Sequence, residues 1–221
     1  MSSLDEALSF VLRNEDAHLS GVVTEDSGGR TRFGIAERFH PDLGDEFYLV
    51  PREVALKMAR EIYRRNYWAV IHGDEVRDPA VAAKLLDMAV NMGVRQAVTL
   101  CQRAVNAMLE FPIMEDGALG PRSLAAINGC DGVPLAAHLC EVCAAFYRHL
   151  AEVRPEMQRY LAGWLTRAAL IPYESERSSG AGLALPAVTK PRELLKTDDM
   201  DMHGRARSFE DSSLSLRDIS V

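Results

Sequence analysis

Basic residues are the minority in this sequence: 25 Lys and Arg stand against 32 Asp and Glu, a formal net charge of −7 over 221 residues. Phosphate binding needs a dense patch of Lys and Arg, and no such patch occurs, which excludes a nucleic-acid surface. The opening residues Met1 to Glu6 hold no base, and no apolar run approaches the ~18 residues that a bilayer span requires. The expectation is therefore a soluble chain made in the cytoplasm without a signal peptide and without stable membrane insertion. Cysteine is scarce as well. Cys101, Cys130, Cys140 and Cys143 all fall in stretches that read as helix. Cys140 and Cys143 have CxxC spacing, but only His138 and His149 lie near, and no second ligand pair completes a zinc pattern. Packed thiols are the expectation, with no metal and no cofactor. No internal repeat is visible.

What is present is helical periodicity. The 48 % hydrophobic content suffices for a core of ordinary size. Leu4, Ala7, Leu8, Val11 and Leu12 predict a first amphipathic helix running into Asn14 and Glu15. From Gly21 to Gly34 the pattern breaks into glycine and β-branched residues, a short β-ribbon with a tight turn at Ser27-Gly28-Gly29. Ile35 to Phe39 reads as a brief helix ended by His40-Pro41. Pro51 opens the next helix, with Val54, Met58 and Ile62 inward and Tyr63, Tyr67 and Trp68 at its end. Asp78-Pro79 supplies an N-cap and first turn for a third, with Ala82, Leu85, Leu86 and Ala89 inward and Gly93 as its stop. Val94 to Leu109 is a fourth. Asp116-Gly117 is a turn, Gly120-Pro121 opens a short helix, and a longer one runs from Leu135 until Pro155 breaks it. Met157 to Ala168 makes the last. After Tyr173 the periodicity stops among Ser, Gly, Pro and mixed charge, the composition of a disordered tail. The fold class is mainly α: a helical domain over residues 1–93 with a short β-ribbon near the N-terminus, a small helical module over 94–173, and a tail over 174–221.

Two carboxylates invite a chemical reading. Glycoside cleavage needs one carboxylic acid held protonated near neutral pH and a second carboxylate, or a positioned water, on the opposite side of the bond. Glu15, at the end of an apolar helix face, suits the buried acid. Asp26, in a Gly/Ser turn, suits a hydrated and ionised partner. On position alone, a helix-end Glu turning out to solvent is the favoured reading of Glu15.

The segment Phe10-Val11-Leu12-Arg13-Asn14-Glu15, followed by Asp26-Ser27-Gly28-Gly29-Arg30-Thr31-Arg32-Phe33-Gly34-Ile35, resembles the N-terminal signature of glycoside hydrolase family 108. These are lysozyme-like N-acetylmuramidases, some known as secretion activators. Ile62-Tyr63-Arg64-Arg65-Asn66-Tyr67-Trp68 and Leu86-Asp87-Met88-Ala89-Val90-Asn91-Met92-Gly93 resemble later stretches of that family in register. Gln102, Asp116 to Pro121 and Gly163-Trp164-Leu165-Thr166-Arg167 look like its C-terminal peptidoglycan-binding module. The resemblance covers residues 4 to 171. It implies a lysozyme-like fold and hydrolysis of the β-1,4 bond between N-acetylmuramic acid and N-acetylglucosamine. It also implies Glu15 as catalytic acid, with Asp26 and Thr31 similar to the Asp and Thr of phage-type lysozymes, Thr31 holding the attacking water.

Other positions carry two readings. Asp87 and Asn91, four apart and off the apolar stripe, are either a solvated pair or a polar cleft wall. Tyr67 and Trp68 are sugar-stacking platforms or core aromatics. Gln102 joins the substrate-binding set through the resemblance, and Trp164 lies on an apolar stripe. The sequence departs from the family pattern where Asp16-Ala17-His18 replaces Gly-Gly-Tyr, where the loop to Asp26 is about two residues longer, and where Arg32-Phe33 replaces Asn-Tyr. Those departures keep open a peptidoglycan-binding or phage structural protein with a decayed site. The expected partner is the peptidoglycan glycan strand, reached by a monomer through a holin or inside a phage particle.

Overall fold

The structure, a computed structural model, describes residues 3–26 and 29–172, with Asp26 described by its backbone alone. Ser27 and Gly28 of the expected turn, and the expected disordered tail over 174–221, lie outside the described residues. The fold is mainly helical with a small antiparallel sheet near the N-terminus.

Helix α1 (Ser3–Glu15) buries Ala7, Leu8, Val11 and Leu12, the stripe its sequence spacing announces. Strands β1 (Thr24–Asp26), β2 (Gly29–Arg32) and β3 (Ile35–Ala36) follow as a three-stranded sheet in chain order. Thr24 faces Thr31, Asp26 faces Gly29, and Arg32 faces Ile35. Ile35 and Ala36 are thus a strand rather than the start of a helix. The two residues between Arg32 and Ile35, Phe33 and Gly34, both take positive φ (50° and 76°), as a tight primed hairpin turn demands. Only a single 3-10 turn over Glu37–Phe39 remains of the expected helix.

A one-turn helix α2 (Glu46–Leu49) leads to α3 (Arg52–Tyr63), whose last turn widens over Arg64–Trp68. The buried face of α3 is Ala55, Ala59, Ile62 and Tyr63, whereas Val54 is exposed. Of the expected inward residues Ile62 is buried and Met58 half-buried against the core; only Val54 is displaced, its place taken by the small alanines Ala55 and Ala59. Helix α4 (Pro79–Met92) is capped by the Asp78 side chain, which accepts from the Ala80 and Val81 amides. It is buried on nearly every side and packs against α1, α5 (Val94–Asn106) and α7 (Gly132–Val153). A helix apolar all round belongs at the centre, and that location gives its few polar residues their importance. Helix α6 (Pro121–Gly129) packs on α5, and α8 (Leu161–Ala169) closes the fold on α7. One hydrophobic core runs from Ala7 in α1 to Ala168 in α8. Among the described residues no helix is long and apolar enough to cross a membrane.

Lys84 of α4 is fully buried, and its Nζ donates to the carbonyls of Arg167, Ala168 and Leu170 at 3.2, 2.8 and 2.9 Å. These carbonyls lie at the end of α8; that of Arg167 also accepts from the Leu170 amide at 3.1 Å, whereas those of Ala168 and Leu170 are past the last intrahelical donor. The ammonium satisfies them and neutralises the negative end of the helix. This contact fixes α8 against α4, and with it the next side chain to matter.

Candidate active site

The last turn of α1 places Asn14 and Glu15 beside the centre of α4. Glu15 has only 6 % of its side chain exposed. From α8, Arg167 donates through Nη1 to Glu15 Oε1 at 2.8 Å and through Nε to Asp87 Oδ1 at 3.0 Å. Asn14 Nδ2 donates to the same Asp87 oxygen at 2.8 Å. Asp87 is 3 % exposed and Arg167 14 %, so one guanidinium links two enclosed carboxylates contributed 72 positions apart. Burial disfavours the Arg167 charge, but Asp87 and Glu15 more than offset this and raise its pKa. Arg167 Nη2 lies 2.9 Å from Asp87 Oδ1 as a charge contact without hydrogen-bond alignment, and it has no hydrogen-bond partner.

The β-ribbon reaches Glu15 from the other side. A Cβ on Gly34 would fall 2.5 Å from Glu15 Oε2 and 2.8 Å from its Cβ and Cγ, so only glycine lets the turn close on the carboxyl. Gly34 also needs its positive φ, a second reason for glycine. The turn is held from below by Tyr63, whose hydroxyl donates to the Phe33 carbonyl at 2.9 Å. Arg32, buried, donates to the carbonyls of Gly21 (2.8 Å), Phe47 (2.9 Å) and Val50 (2.8 Å). Arg32-Phe33, a departure from the family pattern, is thus an internal clamp, with the Phe33 ring lying against Gly21.

Asp16 acts similarly. Its carboxylate accepts from the Gly21 amide at 2.7 Å and the Ser20 hydroxyl at 3.1 Å, closing the 16–21 loop. Burial opposes its charge, but the hydrogen bonds from Gly21 and Ser20 outweigh it and hold the carboxyl below its ordinary value. Arg52 also donates to the Leu19 carbonyl at 2.7 Å. The loop that lacks the glycines is tied down at both ends.

Of the other expected site residues, Thr31 is half-buried in β2, where its carbonyl accepts from the Thr24 hydroxyl at 3.5 Å. The Asp26 side chain lies outside the described residues. Asn91 is half-buried, and its Oδ1 accepts from the fully buried Tyr147 hydroxyl. Tyr67 is half-buried against Tyr63, ring centroids 5.8 Å apart.

Two expected substrate contacts have another place. Trp68 is 1 % exposed, its Nε1 donates to Asp74 at 2.9 Å, and Gly73 packs directly on its ring. A ring covered in this way is core and offers no face to a sugar. Gln102 is fully buried; its amide nitrogen donates to Asp116, Ser123 and the Ala118 carbonyl, and its oxygen accepts from the Gly117 amide. It staples the 116–118 turn to α5 and α6. Asp87 is an enclosed counter-charge and not an exposed cleft wall.

Sequence reading passed over Lys84, and it quoted Arg167, Arg32 and Gly34 within motifs without giving them a role. A charge on the Trp164/Ala168 face of α8 and a lysine inside the apolar α4 were the available signals. The thiols of Cys101 and Cys143 are pushed up to about 12 by burial, as packed thiols should be. Among the described residues no three His, Cys, Asp or Glu side chains converge as metal ligands.

Comparison with known proteins matches residues 9–93 to Glycosyl hydrolase 108 and residues 96–169 to a Predicted Peptidoglycan domain. Among solved structures the chain is similar to SagA of Brucella abortus, with 23 % identity and a TM-score of 0.53. That similarity covers 78 % of this chain and 97 % of the other, and at such identity it speaks for the fold. No curated protein matches the chain.

Proposed function

From a chain whose residues 9–93 are a glycosyl hydrolase 108 domain and whose residues 96–169 are a predicted peptidoglycan domain, we propose a muramidase with Glu15 as its general acid. It hydrolyses the β-1,4 bond between N-acetylmuramic acid and N-acetylglucosamine. Asp26 and Thr31 then serve the attacking water from the ribbon side.

The observation that carries the reading is Glu15 itself. It is an enclosed carboxyl closed over by a glycine turn on which no side chain fits, and the guanidinium of Arg167, which pairs with its charged form, positions it and must yield it to the leaving-group oxygen before it can donate a proton. An acid catalyst must be held in one geometry, because small misplacements cost large factors in rate. The Glu15 surroundings do this from two elements, α8 and the turn between β2 and β3. Asp16, Arg32 and Phe33, the departures that suggested decay, are built into the support of the site, which favours an enzyme over a decayed binding protein.

The test is turbidity loss of purified cell walls with the parent protein and Glu15→Gln. The parent should clear the suspension and the variant should not, because the substitution keeps the shape and removes the transferable proton. Equal clearing by both would refute the assignment. The cell wall is the place of action that follows, with delivery by a phage holin or particle as one route.

A further inference from the structure

The Arg167 guanidinium turns one edge to Asp87 and one nitrogen to Glu15. Its Nε donates to Asp87 Oδ1 at 3.0 Å and its Nη2 lies 2.9 Å from the same oxygen, whereas Nη1 donates to Glu15 Oε1 at 2.8 Å. An arginine fork grips a carboxylate through two parallel N–H donors. Here the fork on Asp87 is half made, because Nη2 is buried and makes no hydrogen bond. A buried donor without an acceptor is costly, and one in a native site calls for a cause. The pull of Nη1 toward Glu15 supplies it: the guanidinium is held between two carboxylates and completes its fork with neither. Asp87 itself is fixed, since Asn14 Nδ2 donates to its Oδ1 at 2.8 Å.

We propose that Asp87 is a positioning residue for proton donation, the carboxylate that takes the whole of Arg167 when Glu15 gives the guanidinium up. The inference rests on the muramidase reading and adds how the acid is released. A cation on Glu15 Oε1 favours the ionised carboxylate, which has no proton to give. A tilt of the guanidinium toward Asp87 aligns Nη2, closes the fork and withdraws Nη1. Glu15 then takes a proton from solvent and passes it to the glycosidic oxygen, which keeps the electron pair of its breaking bond to the anomeric carbon. Arg167 keeps all its protons throughout, and its charge is never left without a carboxylate. The neighbouring groups do not compete for the proton. Lys84 of α4 gives its ammonium to carbonyls at the end of α8. Cys143 and Tyr147 face the cluster from α7; burial pushes the thiol up to about 12 and the phenol well above its ordinary value, so both stay neutral. Asp16 is engaged by Gly21 and Ser20, Arg13 is exposed, and Phe33 and Gly34 bring no titratable side chain. Among the described residues this leaves the exchange to Glu15, Asp87 and Arg167.

The test follows the Glu15 carboxyl by isotope-edited NMR in full-length protein labelled at its glutamate carboxyls, the signal being identified by its loss in Glu15→Gln. In Asp87→Asn, an isosteric change, Arg167 has only Glu15 of the two carboxylates to pair with, so the Glu15 titration midpoint should fall by about one pH unit or more. In Arg167→Met the cation is gone and the midpoint should rise by about as much. Asp87→Glu, which restores a carboxylate, should bring it back toward the parent. The alkaline limb of turnover on soluble glycan should move with the midpoint in each variant, while KM changes by less than about twofold, because Asp87 is enclosed and touches no sugar. A residue that only supports the fold would lower turnover at every pH and shift neither. Midpoints in Asp87→Asn and Arg167→Met that coincide with the parent's, or that move in the same direction, overturn the proposal. If Asp87→Asn does not fold, Arg167→Met decides: a raised midpoint supports the exchange and an unshifted one overturns it. The NMR titration needs no cleavage, so opposite shifts in a protein that cuts no wall would sink the muramidase reading alone.

Discussion

A guanidinium between two carboxylates cannot be removed without consequence. In Arg167→Met, Glu15 and Asp87 lose their shared cation while remaining enclosed, and breaking a buried pair costs about 3–5 kcal/mol. The thermal midpoint should fall by several degrees and turnover by more than tenfold, with Arg167→Lys recovering part of both. A calorimetric scan and the initial rate on soluble glycan check this, and unchanged turnover in Arg167→Met would contradict it. Glu37 gives a pH-dependent counterpart. It accepts from the Arg30 side chain and amide, which depress its pKa from 4.5 to about 2. Its stabilising effect is complete above the ordinary carboxylate value and is lost as pH falls through about 2. Glu37→Gln should therefore lower the midpoint near pH 6 and leave it nearly unchanged near pH 2, as parallel melts would show. At this scale the sequence revealed Glu15 as an apolar helix face ending in a carboxylate. It could not reveal that Arg167, 152 positions away, grips that carboxylate, nor that Trp68 and Gln102 spend their polar groups on internal partners.

Whole elements depend on equally few contacts. Helix α8 carries Arg167, and its end carbonyls rest on Lys84. In Lys84→Met the buried Ala168 carbonyl loses its donor and the Leu170 carbonyl keeps only the Cys140 thiol, at about 1–3 kcal/mol for a group left unsatisfied. The midpoint should drop by several degrees. Turnover should drop too, because Arg167 moves with the helix; a stable, fully active variant would show that α8 is held by other contacts. Helix existence was legible throughout because the 3.6-residue period and the Asp78-Pro79 and Gly120-Pro121 starts are local signals. The errors arose where tertiary contacts decide. Ala55 and Ala59 take the place of Val54 on the buried face of α3, and two positive φ values turned Ile35 and Ala36 back into a third strand.

At the scale of the molecule, the two matched regions share one core, and the candidate acid lies where they meet. Glu15 comes from the first, Arg167 from the second, and Asp87 from the helix that packs between them. The second region thus completes the acid's surroundings in addition to any wall binding of its own. The chain order of motifs was legible, but this meeting was not, since nothing local couples residue 15 to residue 167. The measurement that tests the account most directly is end-group analysis of purified peptidoglycan digested by full-length protein, reduced with borohydride and separated by mass. The parent protein should release fragments ending in reduced N-acetylmuramic acid, and Glu15→Gln should release none. Fragments ending in reduced N-acetylglucosamine, or undiminished release by Glu15→Gln, would contradict it.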